Sequence, residues 1–118
     1  MRYLTLVKGS EHAGPPPQAL IEAIGRLGAE AAEAGVLVET GGLGPSALGA
    51  RIEITGTSTN VVDGPFSETK ELIGGYAVYE VDSKAEVLAW SSRFADLHTK
   101  HWPGWAGEVE IREVVFRQ

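Results

Sequence analysis

The chain has 118 residues, 43 % of them hydrophobic, which suits one globular domain of ordinary composition and excludes a disordered chain. Ten Lys and Arg against sixteen Asp and Glu give a formal net charge of −6, so the basic stripe that nucleic acid or an anionic membrane surface requires is missing. The absence of cysteine removes disulfides, thiolate metal sites and a cysteine nucleophile.

Residues 2–7 (RYLTLV) are rich in β-formers and predict a strand ending at Gly9. Residues 1–8 are interrupted by Arg2, Thr5 and Lys8 and lack the apolar run of a secretory signal. No stretch approaches the length of a membrane span, so a cytoplasmic protein is expected. A loop at 9–17 ends in three prolines, and a helix should start near Pro16 or Pro17, where a missing N–H costs nothing. Leu20, Ile24, Leu27 and Ala31 recur at helical spacing, with Ile21 beside them, and Gly35 suits a left-handed cap. Gly25 and Gly28 each weaken this helix by about 1 kcal/mol relative to alanine, so they read as allowances for close packing on a sheet.

Residues 36–39 predict a short extended piece and 41–49 (GGLGPSALG) a loop. Residues 51–55 and 59–62 predict a hairpin turning around 56–58, and 72–81 (LIGGYAVYEV) form the clearest strand. Ser83 and Glu86 make a capping box for a second helix with Val87, Leu88, Ser91 and Phe94 on its apolar face. Residues 95–107 read as a loop carrying His98, His101, Trp102 and Trp105, and 108–116 as the last strand.

Strand, helix, hairpin, strand, helix, strand is the order of an α+β sandwich of the split-βαβ kind: two helices on one face of a mostly antiparallel sheet. Val109 and Ile111 should face the helices and Glu110, Arg112 and Val114 the other way. The long strand leaves open whether Tyr76, Val78 and Glu80 or Ala77, Tyr79 and Val81 face them. Either choice leaves apolar surface on the uncovered side, so a homodimer is expected.

Residues 62–76 read VDGPFSETKELIGGY, and this stretch resembles the signature of the YCII-related family in its DGPF branch. The resemblance extends to residues 2–9, 35–43, 81–90 and 108–114 and so covers nearly the whole chain. It implies a ferredoxin-like fold that pairs into a dimeric α/β barrel. Some members use a histidine of the first helix with an aspartate just after it as an acid–base dyad. Here the first helix has no histidine and residues 35–40 no aspartate, so the dyad is not carried over.

Asp63 is either the anchor of an Asp-Gly-Pro turn or a carboxylate at a strand end acting as base or acceptor. Lys70 would pair with it or hold an anionic ligand group. Phe66 reads as a hydrophobic plug beside the same pocket. Gly74 and Gly75 suggest a bulge or a close backbone approach, and Tyr76 next to them packs or offers its hydroxyl to a ligand. His98 and His101, spaced H-x-x-H, lack the further ligands a metal needs. His98 is therefore either a residue of a surface loop or a candidate proton shuttle at a pocket mouth, with Trp102, Pro103 and Trp105 as a lid or dimer contact.

Three motifs are decoys. Gly42, Gly44 and Ala47 fit a dinucleotide fingerprint, but Pro45, Gly49 and a strand follow instead of a helix. Ser67 and Lys70 fit S-x-x-K without its partner motifs. His12 stands alone in its loop.

Two functions follow. In one, Asp63 and His98 carry proton transfer on a small polar molecule held by Phe66, Lys70, Tyr76 and Trp102, with no tightly bound cofactor. In the other, the chain is a non-catalytic regulatory or protein-interaction module.

Overall fold

A computed structural model of the chain describes residues 1–66 and 72–117. Strand β1 (Arg2–Gly9) leads through a short 3₁₀ turn, Glu11–Ala13, into helix α1 (Gln18–Glu33). Pro17 caps that helix, its carbonyl accepting the N–H groups of Leu20 and Ile21 at 3.0 and 3.2 Å. The helix ends in a Schellman motif: Gly35, at φ 78°, donates to Ala32, and Val36 donates to Ala31 at 3.1 Å. The chain then forms strand β2 (Leu37–Gly42), a 3₁₀ turn at Ser46–Leu48, and the hairpin of β3 (Ala50–Thr55) and β4 (Ser58–Asp63). Strand β5 (Leu72–Glu80), helix α2 (Lys84–His101) and strand β6 (Gly107–Glu113) follow.

The main sheet runs β2-β5-β1-β6 with every neighbouring pair antiparallel, an α+β arrangement compatible with a ferredoxin-like fold. Two expectations are corrected here. The hairpin does not join this sheet but makes a two-stranded sheet of its own. Its place is taken by residues 37–42, the last two of which, Gly41 and Gly42, belong to the expected loop of 41–49. Those glycines serve an edge strand lying close to β5, where Tyr76 covers Gly41 so tightly that an added Cβ would sit 2.9 Å from its ring.

The second helix is also longer than expected, since 95–101 are helical rather than a loop. No Gly or Pro interrupts residues 84–102, and Pro103 and Gly104 supply the stop. The capping box forms: Glu86 N–H donates to Ser83 Oγ at 3.2 Å, and the Glu86 carboxylate accepts from Asp82 N–H at 3.0 Å. Strand β6 ends at Glu113, short of the expected Phe116. Val114 still donates to Arg2, where β1 starts.

Tyr3, Tyr79 and Val81 of the sheet side pack with Ala31, Val36 and Val87 as the core, with Ala77 and Ile111 against it. The set Ala77, Tyr79 and Val81 therefore faces the helices, as does Ile111. The other face carries Leu4, Leu6, Tyr76 and Val78 between ion pairs. Glu80 meets the N-terminal ammonium at 2.9 Å, Arg2 at 3.2 Å and Arg117 at 3.3 Å, and Glu110 meets Lys8 at 2.7 Å. The N-terminal ammonium, with Arg117 and Arg2, holds the Glu80 carboxyl below the usual range. Lys8, then Arg112, does the same for Glu110.

Candidate functional site: a cavity between helices and sheet

The core fills only one end of the helix–sheet interface, where α1 finishes and α2 begins. At the other end the strands run into glycine: Gly9 in β1, Gly41 and Gly42 in β2, Gly74 and Gly75 in β5. Tyr76 and Trp105 lie against Gly41 and Gly9, but a Cβ at Gly42 would meet nothing within 4 Å, and space remains beneath the first turns of α1 and the last turns of α2. The result is a cavity of about 590 Å³, a size suited to a small organic ligand. Leu20, Ile24 and Leu27 wall it from α1, and Phe94 and Trp102 from α2.

A few polar groups stand in this mostly apolar lining. Thr5 is buried and donates to the Ala77 carbonyl at 3.2 Å. The Tyr79 hydroxyl has no hydrogen bond to a described residue, and burial raises its pKa above the ordinary value. Ser91 is 6 % exposed, and its Oγ is shut away from solvent without a partner among the described residues. An unmet buried hydroxyl costs about 1–3 kcal/mol.

His98 is 9 % exposed and also lines the cavity. Its ring lies 4.8 Å from Phe94 and 4.9 Å from Trp105, centroid to centroid. Nδ1 sits 3.0 Å from the Phe94 carbonyl, which only accepts, so the proton belongs on Nδ1 and a neutral ring keeps Nε2 as acceptor. Trp105 wedges over Gly9, where an added Cβ would stand 2.6 Å from its ring, and closes the end of α2 onto the sheet.

The residues singled out from sequence separate into two groups. His98 and Trp102 border the cavity, and Tyr76 is among its lining residues although its side chain belongs to the opposite face of the sheet. The Tyr76 hydroxyl, however, is donated to Glu39, which raises its pKa above the ordinary value. His101 lies apart, in a groove with Arg26, Glu30 and Asp96 on the outer side of the two helices, and no group of three or more metal-ligating side chains occurs among the described residues.

Asp63 ends β4, exposed, outside the cavity lining and with no side-chain hydrogen bond to a described residue. The rest of its motif is a latch. Gly64 donates to the Gly49 carbonyl at 3.0 Å and lies so close to Ser46 that a Cβ would overlap the Ser46 carbonyl. Phe66 N–H donates to Ser46 Oγ at 3.0 Å, and the Arg51 guanidinium covers the Phe66 ring at 3.9 Å. Ser46 in turn donates its hydroxyl at 2.9 Å, and its N–H, to Glu11 on the cavity rim. Phe66 thus reaches the cavity only through Ser46, and Lys70 lies outside the described residues.

Sequence reasoning missed Tyr79 and Thr5, and it read Ser91 as part of an apolar face. The signal is the spacing of Ser91, Phe94 and His98 on one helical stripe, hidden when residues 95–107 are read as a loop.

No curated protein matches the chain. A family model described as the YCII-related domain matches residues 1–115, all but the last three residues, and the chain therefore belongs to the YCII-related domain family.

Proposed function

We propose that the protein binds a small molecule in the cavity between its helices and the glycine end of its sheet, with His98 as the acid–base group. The single observation that carries this reading is a roomy apolar cavity lined by Ser91, whose buried hydroxyl has no partner among the described residues, and by a histidine whose Nδ1 is already engaged. That is the arrangement of a ligand site: an apolar body cavity with a few fixed polar groups. Nε2 of His98 accepts a proton from a bound hydroxyl or amine and can return it. Asp63 enters the reading through the latch that ties the DGPF turn to Glu11, and that motif is our reason for assigning the chain to the DGPF branch. Pairing of two copies through the open sheet face, as in a dimeric α/β barrel, is part of the same proposal.

A thermal-shift screen of small metabolites tests it. A ligand stabilises by RT ln(1 + [L]/Kd), so one present at a hundred times its Kd adds about 2.7 kcal/mol, a shift of several degrees. Hits should lose most of their shift in His98→Asn and keep it in Asp63→Asn. Hits that depend on Asp63 and ignore His98 would relocate the site to the turn, and no hit at all would end the reading.

One observation favours the interaction-module alternative. Ile52, Ile54 and Val61 share a face of the hairpin and are 66 %, 77 % and 65 % exposed. Specific capture of a protein partner, lost in Ile54→Lys, would support it.

A further inference from the structure

We infer that the cavity selects uncharged ligands, with a hydrogen-bond donor placed at His98 and a second polar group at Ser91. This rests on the reading of the cavity as a ligand site and adds the chemical class.

The argument begins with charge. No lysine or arginine is among the described residues that line the cavity, and Glu11 is its only carboxylate. Glu11 stands exposed at the rim, and its oxygens already accept the hydroxyl and N–H of Ser46. An anion moving inward would lose its hydration and meet no lysine or arginine among the described lining residues. The chain's net charge of −6 opposes it further. An ammonium would find a carboxylate only at the mouth and none beside Ser91 or Phe94.

The polar groups then set the pattern of the ligand. With Nδ1–H given to the Phe94 carbonyl, neutral His98 offers Nε2 as an acceptor and selects an O–H or N–H. Ser91 Oγ has no partner among the described residues, and a turn about χ1 to another staggered rotamer would be needed for it to serve a ligand as donor or acceptor. Ser91 and His98 stand seven residues apart on α2, about 10 Å along the helix axis. Phe94 lies between them and gives the body of the ligand an aromatic surface. An elongated, uncharged molecule with an apolar middle and a polar group at each end satisfies all of these together.

Three naphthalene probes test the inference by titration calorimetry on the full chain at pH 7: 2,6-dihydroxynaphthalene, 2-naphthol and 2,6-naphthalenedicarboxylate. The diol should bind at least tenfold more tightly than the dicarboxylate and about fivefold more tightly than the single alcohol, the worth of one further hydrogen bond. Ser91→Ala should erase the difference between diol and alcohol. Ile24→Phe, which fills the cavity from the α1 side, should weaken both alike and so locate them. A dicarboxylate that matches the diol overturns charge selection and leaves the cavity's binding role standing. Failure of all three to bind, with the Ile24 and Phe94 resonances unmoved, overturns both. A diol advantage that survives Ser91→Ala removes Ser91 from the site.

Discussion

Gly64 carries the tightest constraint in the DGPF turn, and steric overlap rather than turn conformation imposes it. Its φ is not positive, so the usual argument for glycine does not apply. What requires a bare Cα is the Ser46 backbone pressed against it. Gly64→Ala must push the turn and the Ser46–Leu48 segment apart, at a cost of about 1–3 kcal/mol for an overpacked contact. We expect a melting temperature lower by several degrees, together with faster hydrogen exchange at the Phe66 and Ser46 amides, which donate across the latch to Ser46 Oγ and Glu11. A variant with unchanged melting and unchanged exchange at those amides would show that the latch carries no strain. The sequence exposed the motif but not this reason for it. Asp-Gly-Pro reads locally as turn chemistry, whereas the partner that forbids a side chain lies 18 residues earlier.

Helices and strands were legible wherever local chemistry decided them. Pro17, Gly35 and the Ser83–Glu86 box mark real helix ends because each acts on the backbone within a few residues. Misjudgement came where a tertiary neighbour decided instead. Strand β2 is rich in glycine and looks like a loop until Tyr76 and Gly75 lie beside it, and the end of α2 holds because Trp105 and Phe94 enclose His98. Gly25 and Gly28 show the same division. Both read as packing allowances, but only Gly28 approaches the sheet side, 4.0 Å from Leu37 for an added Cβ. Gly25 is exposed, with open space around it. Gly25→Ala should therefore stabilise the protein by about 1 kcal/mol, the full difference in helix propensity, raising the melting temperature by a few degrees without altering ligand affinity. A loss of stability in denaturant titration would mean that Gly25 meets something outside this chain.

At the scale of the molecule, one side of the main sheet lacks a covering layer among the described residues. Leu4, Leu6 and Val78 form its centre and are only half-buried, while Glu80 and Glu110 with their cationic partners frame them. A second copy placed by a two-fold axis would bury the apolar centre and leave the charged frame in water, where exposed ion pairs cost least. The sequence implied such a surface by counting helices, and the alternation along β1 and β5 now says which residues make it. Wild-type protein at micromolar concentration should scatter light with the mass of two chains. Val78→Asp should halve that mass while leaving the far-ultraviolet spectrum unchanged, because a carboxylate in the middle of the patch is tolerated in water and not in an apolar interface. Ile52→Lys, on the exposed hairpin, separates the two candidate surfaces: it should leave the mass at two chains. If Ile52→Lys yields single chains and Val78→Asp does not, the hairpin joins the copies and the sheet's open face stays in water, and a monomeric wild type removes the pairing altogether.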